Sequence, residues 1–361
     1  MLAQVHARSL TSRSELFVRR ALTALAWASS FKGLDVMMKV SLRALAPLAF
    51  LALAHTGEAA TVTPGATSFI TLGTMGGPVP DGQRSQPANA IVRGDRVYLV
   101  DAGDGATEQL ARAGMNLPAV RAVFISHLHI DHVGGLAAVI GLRLQTETGG
   151  VLQIYGPPGT REFVGGIVAS LQPSAKAGYG LPGRVWAPPA NTVNVTELRD
   201  GEMITFDDMT VKVVQNTHYD FAPGSSDERN YKSYSYRFDM PGKSILYTGD
   251  TGPSEAVEKL AAGVDLLVSE MIDMDSTLAR MAKVAPDMPA SIKENMVRHL
   301  TTHHLTPQEV GRLAARAHAK ALVVTHFAGG LSGPEQVGRN VEAVKKEYAG
   351  PVTIANDLDR F

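Results

Sequence analysis

The sequence predicts an α/β fold in which a single domain contains two mixed β-sheets covered by helices. Short apolar runs of strand length recur along the chain, and amphipathic stretches of helix length fall between some of them. The two halves of the chain show the same organisation, with strands close together and helices near the ends. The chain has 361 residues, of which 45% are hydrophobic, and this is enough for a complete core.

The predicted elements follow from local patterns of apolar residues and helix-start signals. Thr306, Pro307 and Glu309 form one such signal, because Thr is a good N-cap, Pro suits the first helical position and Glu suits the third. The predicted helices cover residues 106–113, 136–144, 254–261, 291–300, 307–317 and 334–348. The predicted strands cover residues 67–72, 96–101, 122–126, 151–155, 203–206, 210–215, 234–238, 244–248, 265–269 and 321–325.

The N-terminal segment resembles an export signal. Residues 37–43 are basic, and the apolar run at 44–54 has the length of a signal-peptide core but is too short to span a bilayer comfortably. We therefore predict a secretory signal at 37–60, a leader or spurious segment at 1–36, and a mature domain at 61–361 that is periplasmic or secreted and has no membrane span. The alternatives for 37–60 are an uncleaved anchor and a buried helix.

Composition narrows the possible chemistry. The formal net charge is −1, and charges are nearly balanced over residues 143–212, so we expect no basic surface for nucleic acid. Cysteine is absent, which excludes disulfides, thiolate metal ligands and a cysteine nucleophile.

The most informative segment is His127-Leu128-His129-Ile130-Asp131-His132. An apolar run predicted to be a buried strand leads into it, and a predicted helix follows. Imidazole and carboxylate ligands suit Zn²⁺ or a similar borderline ion. The alternative is a surface cluster or a buried histidine with ordinary partners, but this density of ligand-type residues favours a metal site.

Three other predicted strands end in ligand-type residues, namely His218, Asp250 and His326. Each residue alone would be interpreted as a turn or cap residue. Together with the first cluster, they predict a shared rim at which several strand ends meet.

With these motifs, the sequence resembles the metallo-β-lactamase-fold hydrolases over nearly all of residues 67–357. The matching motifs occur in order at 72–77, 99–103, 127–132, His218, 249–251 and 325–327, and 303–307 resembles the branch that contains ribonuclease Z and zinc arylsulfatases. The resemblance implies a four-layer αββα sandwich.

The resemblance also implies two Zn²⁺ ions per chain and a set of ligands. Asp101 would accept a hydrogen bond from the N–H of a ligand imidazole and so fix its tautomer; the alternative role for Asp101 is a turn cap. The implied ligands are His127, His129 and His218 for the first ion, Asp131, His132 and His326 for the second, and Asp250 as the bridge.

The expected chemistry is hydrolysis by a hydroxide held between the two ions. Asp131 would align this nucleophile and accept its proton, and His304 would polarise the substrate or protonate the leaving group. The alternative for His304 is a helix-entry residue, and His303 is a weaker catalytic candidate.

From the predicted export and the balanced charge, we expect a small ester-type substrate such as an aryl sulfate, phosphodiester, lactone or β-lactam, with no nucleic-acid partner. An iron-dependent oxidoreductase and a non-catalytic metal-binding protein are the alternatives, and a homo-oligomer is compatible with the sequence. The Met-rich segment 271–296 is either a flexible apolar wall over the metal site or helix core. The other pocket candidates are Tyr219, Phe221, Trp186 and Asn216.

Overall fold

The computed structural model describes residues 67–80, 82–329 and 333–361. The predicted leader and signal segments lie outside the described residues, so these two assignments stay predictions. Within the described part of the chain, no helix is both long and apolar enough to cross a bilayer.

The first sheet contains six strands whose spatial order follows the sequence. Its first two pairings are antiparallel and its last three are parallel. The strands are β1 (Thr67–Gly73), β2 (Ala88–Arg93), β3 (Arg96–Ala102), β4 (Val120–Phe124), β5 (Leu152–Gly156) and β6 (Val193–Glu197).

The second sheet contains seven strands, again in sequential order. Pairings from β7 to β10 are antiparallel, and pairings from β10 to β13 are parallel. The strands are β7 (Met203–Phe206), β8 (Met209–Gln215), β9 (Tyr234–Met240), β10 (Lys243–Tyr247), β11 (Leu266–Ile272), β12 (Leu322–Ala328) and β13 (Val352–Ile354).

The helices connect strands and cover the outer faces of the sheets. Short 3₁₀ turns occupy Leu117–Ala119 and Pro189–Thr192. The α-helices of the described residues are α1 (Ala106–Arg112), α2 (Ile130–Val133), α3 (Leu136–Thr146), α4 (Thr160–Ser170), α5 (Gln172–Ala177), α6 (Ser226–Asn230), α7 (Glu255–Leu260), α8 (Met274–Val284), α9 (Ala290–Thr302), α10 (Pro307–Arg316) and α11 (Pro334–Lys345).

Three apolar clusters define four layers. One joins the first sheet to α1, α3 and α4, and another joins the second sheet to α7, α10 and α11. The third lies between the sheets and combines side chains from both, such as Phe124 and Phe238. The predicted fold class, two mixed sheets flanked by helices, is therefore confirmed.

Most predicted elements occur within a few residues of their predicted bounds, and the capping box of Thr306 and Glu309 begins α10 as expected. The prediction missed β2, β6 and β13 and the helices α2, α4, α5, α6 and α8. Strand β2 is buried throughout and has no alternating pattern, and β13 is only three residues long. Helix α4 contains Gly165 and Gly166, which lower its intrinsic helix propensity.

Phe124 is central to the packing between the sheets. Its ring stacks on Tyr155 at 5.0 Å and meets the ring of Phe238 edge-on at 5.2 Å. We expect Phe124→Ala to lower the free energy of unfolding by about 3–5 kcal/mol, because the cavity cannot close between two sheets. The exposed Val151→Ala is the control, and it should change stability by less than about 0.5 kcal/mol. Equal denaturant midpoints for the two variants would contradict the expectation.

Candidate metal centre

The candidate centre lies where strands of both sheets end. The segment from His127 to His132 follows β4 and extends into α2, His218 follows β8, and Asp250 follows β10. His326 lies within β12 and has a left-handed φ of 42°, which is uncommon for a residue other than glycine. The carboxyl ends of these strands meet at one rim, and the structure brings all seven predicted ligands together there.

The first cluster consists of three histidines whose ring nitrogens converge. Nδ1 of His129 lies 3.0 Å from Nε2 of His127 and 3.1 Å from Nε2 of His218. Tetrahedral zinc ligands at 2.0–2.1 Å from the ion lie roughly 3.3 Å apart, so this spacing suits one ion. His127 and His218 are buried whereas His129 is exposed, so the cluster opens to solvent on one side.

The second cluster consists of Asp131, His132 and His326. Oδ2 of Asp131 lies 3.7 Å from Nε2 of His132 and 3.6 Å from Nε2 of His326. Asp250 lies between the clusters. Its Oδ2 is 3.2 Å from Nε2 of His326 and 4.0 Å from Nε2 of both His127 and His218.

The donor set and its electrostatics fit divalent cations. Within the described residues, Nε2 of His132 and Oδ1 of Asp250 are buried and lie 3.4 Å apart, but neither has a hydrogen-bond partner, a state that a metal ion would relieve. Burial holds the pKa of His127 and His218 well below the usual range, so both imidazoles are neutral, as ligands must be. Burial alone would raise the pKa of Asp250, but His326 and His132 override it and keep the carboxylate ionised.

Asp101 has a left-handed φ of 59° and is fully buried behind the second cluster. Its Oδ2 accepts hydrogen bonds from Nδ1 of His132 at 2.8 Å and from the hydroxyl of Tyr247 at 2.7 Å. Its Oδ1 accepts from the backbone N–H of Ser126 at 2.7 Å. The contact with Nδ1 directs Nε2 of His132 toward Asp131 and Asp250, whereas a turn cap would account for the Ser126 contact alone.

We expect Asp101→Asn to weaken metal binding about 10- to 100-fold, because it removes the charged acceptor that fixes the tautomer of His132. Competition against a chromogenic chelator measures this affinity. Asp239→Asn is the control. Asp239 lies on β9, accepts hydrogen bonds from Lys212 and Arg237, and contacts no candidate ligand. Unchanged affinity in a folded Asp101→Asn protein would show that Asp101 does not support the centre.

A buried acid–histidine pair lies beside the cluster. Oε2 of Glu270 accepts a hydrogen bond from Nδ1 of His304 at 2.8 Å, and Oε1 accepts from the backbone N–H of Thr251 at 2.7 Å. Burial would lower the pKa of His304, but the Glu270 carboxylate reverses this and raises it to about 9. His304 is thus protonated near neutral pH, and its Nε2 is the ring atom that can face a substrate.

Sequence reasoning missed Glu270, because residues 265–269 were predicted as an ordinary buried strand. The available signal was one acidic residue in the otherwise uncharged strand β11, since charged residues are rarely buried without a partner. His303, the weaker catalytic candidate, instead has Nδ1 2.7 Å from the backbone oxygen of Thr217.

His299 also reaches the site and was not predicted. Its ring centroid, on α9, lies 5.0 Å from that of His218 and 5.3 Å from that of His304. Burial, followed by the charge of His304, lowers the pKa of His299 to about 4. The sequence signal was weak, because a single histidine on an amphipathic helix is common.

The other pocket candidates have different positions. Trp186 packs on Leu144 and Ala175 in a separate small cluster, so it is not part of the centre. Asn216 accepts a hydrogen bond from the backbone N–H of His218 at 3.2 Å. Tyr219 lies with its ring 5.2 Å from that of His218.

The Met-rich segment forms β11 and the helices α8 and α9. Met271 packs in the core under the second sheet. In this described part of the chain neither α8 nor α9 has a fully buried side chain, so helix core is the wrong interpretation for both.

A family model described as "Beta-lactamase superfamily domain" matches residues 96–327. The chain belongs to this superfamily. Ribonuclease Z of Mycolicibacterium paratuberculosis is 32% identical over 295 residues, which cover 81% of this chain and 96% of that protein. The Mycobacterium avium ribonuclease Z is 31% identical with the same coverage.

Solved structures agree on the fold. The metallo-β-lactamase fold protein YhfI from Bacillus subtilis has a TM-score of 0.57 and 18% identity, and the match covers 82% of this chain and 98% of YhfI. The short form of human tRNase Z has a TM-score of 0.53 and 22% identity, with 81% and 98% covered. The chain is therefore a metal-dependent hydrolase of the metallo-β-lactamase fold, in the ribonuclease Z-like branch.

Two expectations from the sequence were wrong. The predicted small ester-type substrate and the expected absence of a nucleic-acid partner both conflict with relatives named ribonuclease Z, which match this chain over almost their entire length. The error came from net charge, because bound cations are often the largest local charges in a site and balanced side chains do not exclude a polyanion. The hydrolase relatives also contradict the oxidoreductase and non-catalytic alternatives.

Proposed function

We propose that this protein is a ribonuclease that hydrolyses a phosphodiester bond of RNA, with precursor tRNA as the substrate class. Relatives that match nearly their whole length to this chain carry the name ribonuclease Z. The local observation that carries the proposal is the Glu270–His304 pair, which places a protonated imidazole beside two clusters of metal-ligand side chains.

The proposed cofactor is a pair of zinc ions. His127, His129 and His218 would hold one, Asp131, His132 and His326 would hold the other, and Asp250 would contact both. When bound, such ions supply a nucleophilic water at neutral pH and neutralise phosphodiester charge. The short distances within each cluster, and the buried atoms of His132 and Asp250 that have no hydrogen-bond partner, support this assignment.

The residues of this chain would divide the proton transfers between them. Asp131, a buried member of the second cluster, would accept the proton of the attacking water. Nε2 of His304 donates a proton to the leaving 3′ oxygen, and Glu270 holds the ring by its Nδ1 and keeps it charged. The products of this hydrolysis are a 3′-hydroxyl end and a 5′-phosphate end.

The test uses purified protein incubated with zinc and three substrates: a precursor tRNA with a 3′ trailer, DNA of the same sequence, and bis-p-nitrophenyl phosphate. We expect cleavage of the RNA at one position, and we expect a chelator to abolish the activity and zinc to restore it. Intact RNA under conditions in which the chromogenic diester is hydrolysed would overturn the ribonuclease assignment. Chelator-resistant cleavage would overturn the metal dependence.

A further inference from the structure

A line of aromatic rings runs outward from the metal centre. The ring of Tyr219 lies 5.3 Å from that of His129, and Phe221 follows at 5.2 Å from Tyr219. Tyr231 comes next, with its centroid 6.2 Å from that of Phe221. Tyr219 and Phe221 are half-buried, whereas 44% of Tyr231 is exposed. The line therefore begins at the candidate ligands and ends at the surface.

The segment that carries these rings has its own internal support. It connects His218 to β9 and contains the short helix α6. Ser225 caps this helix by accepting a hydrogen bond from the backbone N–H of Glu228 at 3.0 Å, and Arg229 donates to the backbone oxygen of Gly224 at 2.6 Å. The backbone N–H of Tyr231 donates to the backbone oxygen of Asp227 at 2.9 Å, so the same helix fixes the backbone that carries Tyr231.

Tyr231 forms one side of a shallow cavity of about 540 Å³. This volume falls within the roughly 300–1,000 Å³ usual for small-molecule sites. Leu128, which lies between the candidate ligands His127 and His129 in the sequence, also lines the cavity, and Phe163 and Ile167 of α4 add apolar surface. The cavity therefore adjoins the segment of candidate ligands at Leu128, and Tyr231 joins it to the line of rings that starts at His129.

The polar groups of the cavity indicate which part of a nucleic acid would occupy it. Glu162 and Ser170 line it, and among the described residues that line it none is lysine, arginine or histidine. A phosphate would meet a carboxylate with no cation to balance its charge, so the backbone of RNA is a poor occupant. A nucleobase suits the site, because its faces can stack on Tyr231 and its amino group can donate to Glu162.

We propose that this cavity, with Tyr231 and Phe221, is a base-binding subsite for a nucleotide next to the scissile phosphate. The proposal rests on the proposed ribonuclease function and adds the part of the substrate that this surface recognises. Tyr231 and Phe221 are positioning residues in this scheme, since neither is a candidate metal ligand or proton donor.

The experiment compares Tyr231→Ala and Phe221→Ala with the wild type. The substrates are precursor tRNA, the same RNA with a single abasic nucleotide on either side of the cleavage position, and bis-p-nitrophenyl phosphate. Loss of one stacked base should raise KM for RNA about tenfold to a hundredfold, with little change in kcat or in diester hydrolysis. Tyr231→Phe should have the wild-type KM, because this variant keeps the aromatic ring.

The abasic substrates identify the contact, and a control variant excludes a general effect of losing a surface ring. If Tyr231 stacks on a base, the abasic RNA should raise KM for the wild type and should add little in Tyr231→Ala. The control is Tyr179→Ala, because Tyr179 is exposed and packs on Trp186 outside the metal centre.

The two possible failures can be distinguished. If the wild type cleaves RNA but Tyr231→Ala and Phe221→Ala have its KM, the subsite is wrong and the ribonuclease function stands. If an abasic nucleotide raises the KM of Tyr231→Ala by the same factor as that of the wild type, the ring contacts no base and the subsite is equally wrong. If the wild type hydrolyses only the diester, the proposed function fails and the subsite fails with it.

Discussion

Asp250→Ala is expected to abolish hydrolysis and to lower the metal content of the purified protein. Asp250 lies close to candidate ligands of both clusters, with Oδ2 at 3.2 Å from Nε2 of His326 and at 4.0 Å from Nε2 of His127. Its removal takes away the negative charge that would offset two adjacent cations. The loss of several kcal/mol of transition-state stabilisation corresponds to a fall in kcat of about 10³-fold or more.

Metal content by elemental analysis and kcat with bis-p-nitrophenyl phosphate measure the two effects of Asp250→Ala separately. Asp239→Ala is the matched control, because it removes a half-buried strand carboxylate that faces Lys212 and Arg237 instead of the centre. It should retain metal and activity. An Asp250→Ala protein with full metal content and kcat within tenfold of the wild type would remove Asp250 from the centre.

The sequence predicted much of the centre because its ligands obey local rules. His127, His129, Asp131 and His132 are concentrated in one short segment, and His218 and Asp250 follow apolar runs within a few residues. Strand ends are visible in a sequence, and the carboxyl ends of neighbouring strands meet at one edge of a sheet. The arrangement of these residues in space therefore follows from topology that periodicity already indicates.

The features that the sequence did not predict depend on contacts between distant segments. Glu270 is separated by 34 positions from His304. Without knowledge of this pairing, a glutamate in an apolar run suggests that the run is not a buried strand. His299 lies on α9, a helix without a fully buried side chain, so apolar periodicity gave no indication of which face meets the centre. Local patterns contain no information about such pairs.

Amino-acid composition could not predict the substrate class either, because composition contains no information about local groups. A net charge of −1 averages over the whole surface, whereas recognition depends on a few groups near the reacting bond. The exposed side of the first cluster and the cavity beside Leu128 are local features of the folded chain. Under the proposed function, these two features would receive a phosphodiester and a base without any excess of basic residues.

His304→Ala is expected to lower kcat about 10²- to 10⁴-fold while metal content stays at the wild-type level. The imidazole is buried, lies with its ring centroid 5.0 Å from that of His218, and is kept protonated by Glu270. Its loss would remove the proposed proton donor for the leaving oxygen. Because the proposed ligand set does not include His304, the variant separates proton transfer from metal binding.

Two comparisons make this prediction specific. His303→Ala removes the adjacent imidazole, whose Nδ1 lies 2.7 Å from the backbone oxygen of Thr217, and should leave kcat within a few-fold of the wild type. A substrate whose leaving group needs no proton, such as bis-p-nitrophenyl phosphate, should lose much less rate in His304→Ala than RNA does. Equal losses on both substrates would mean that His304 supports the architecture of the site instead of donating the proton.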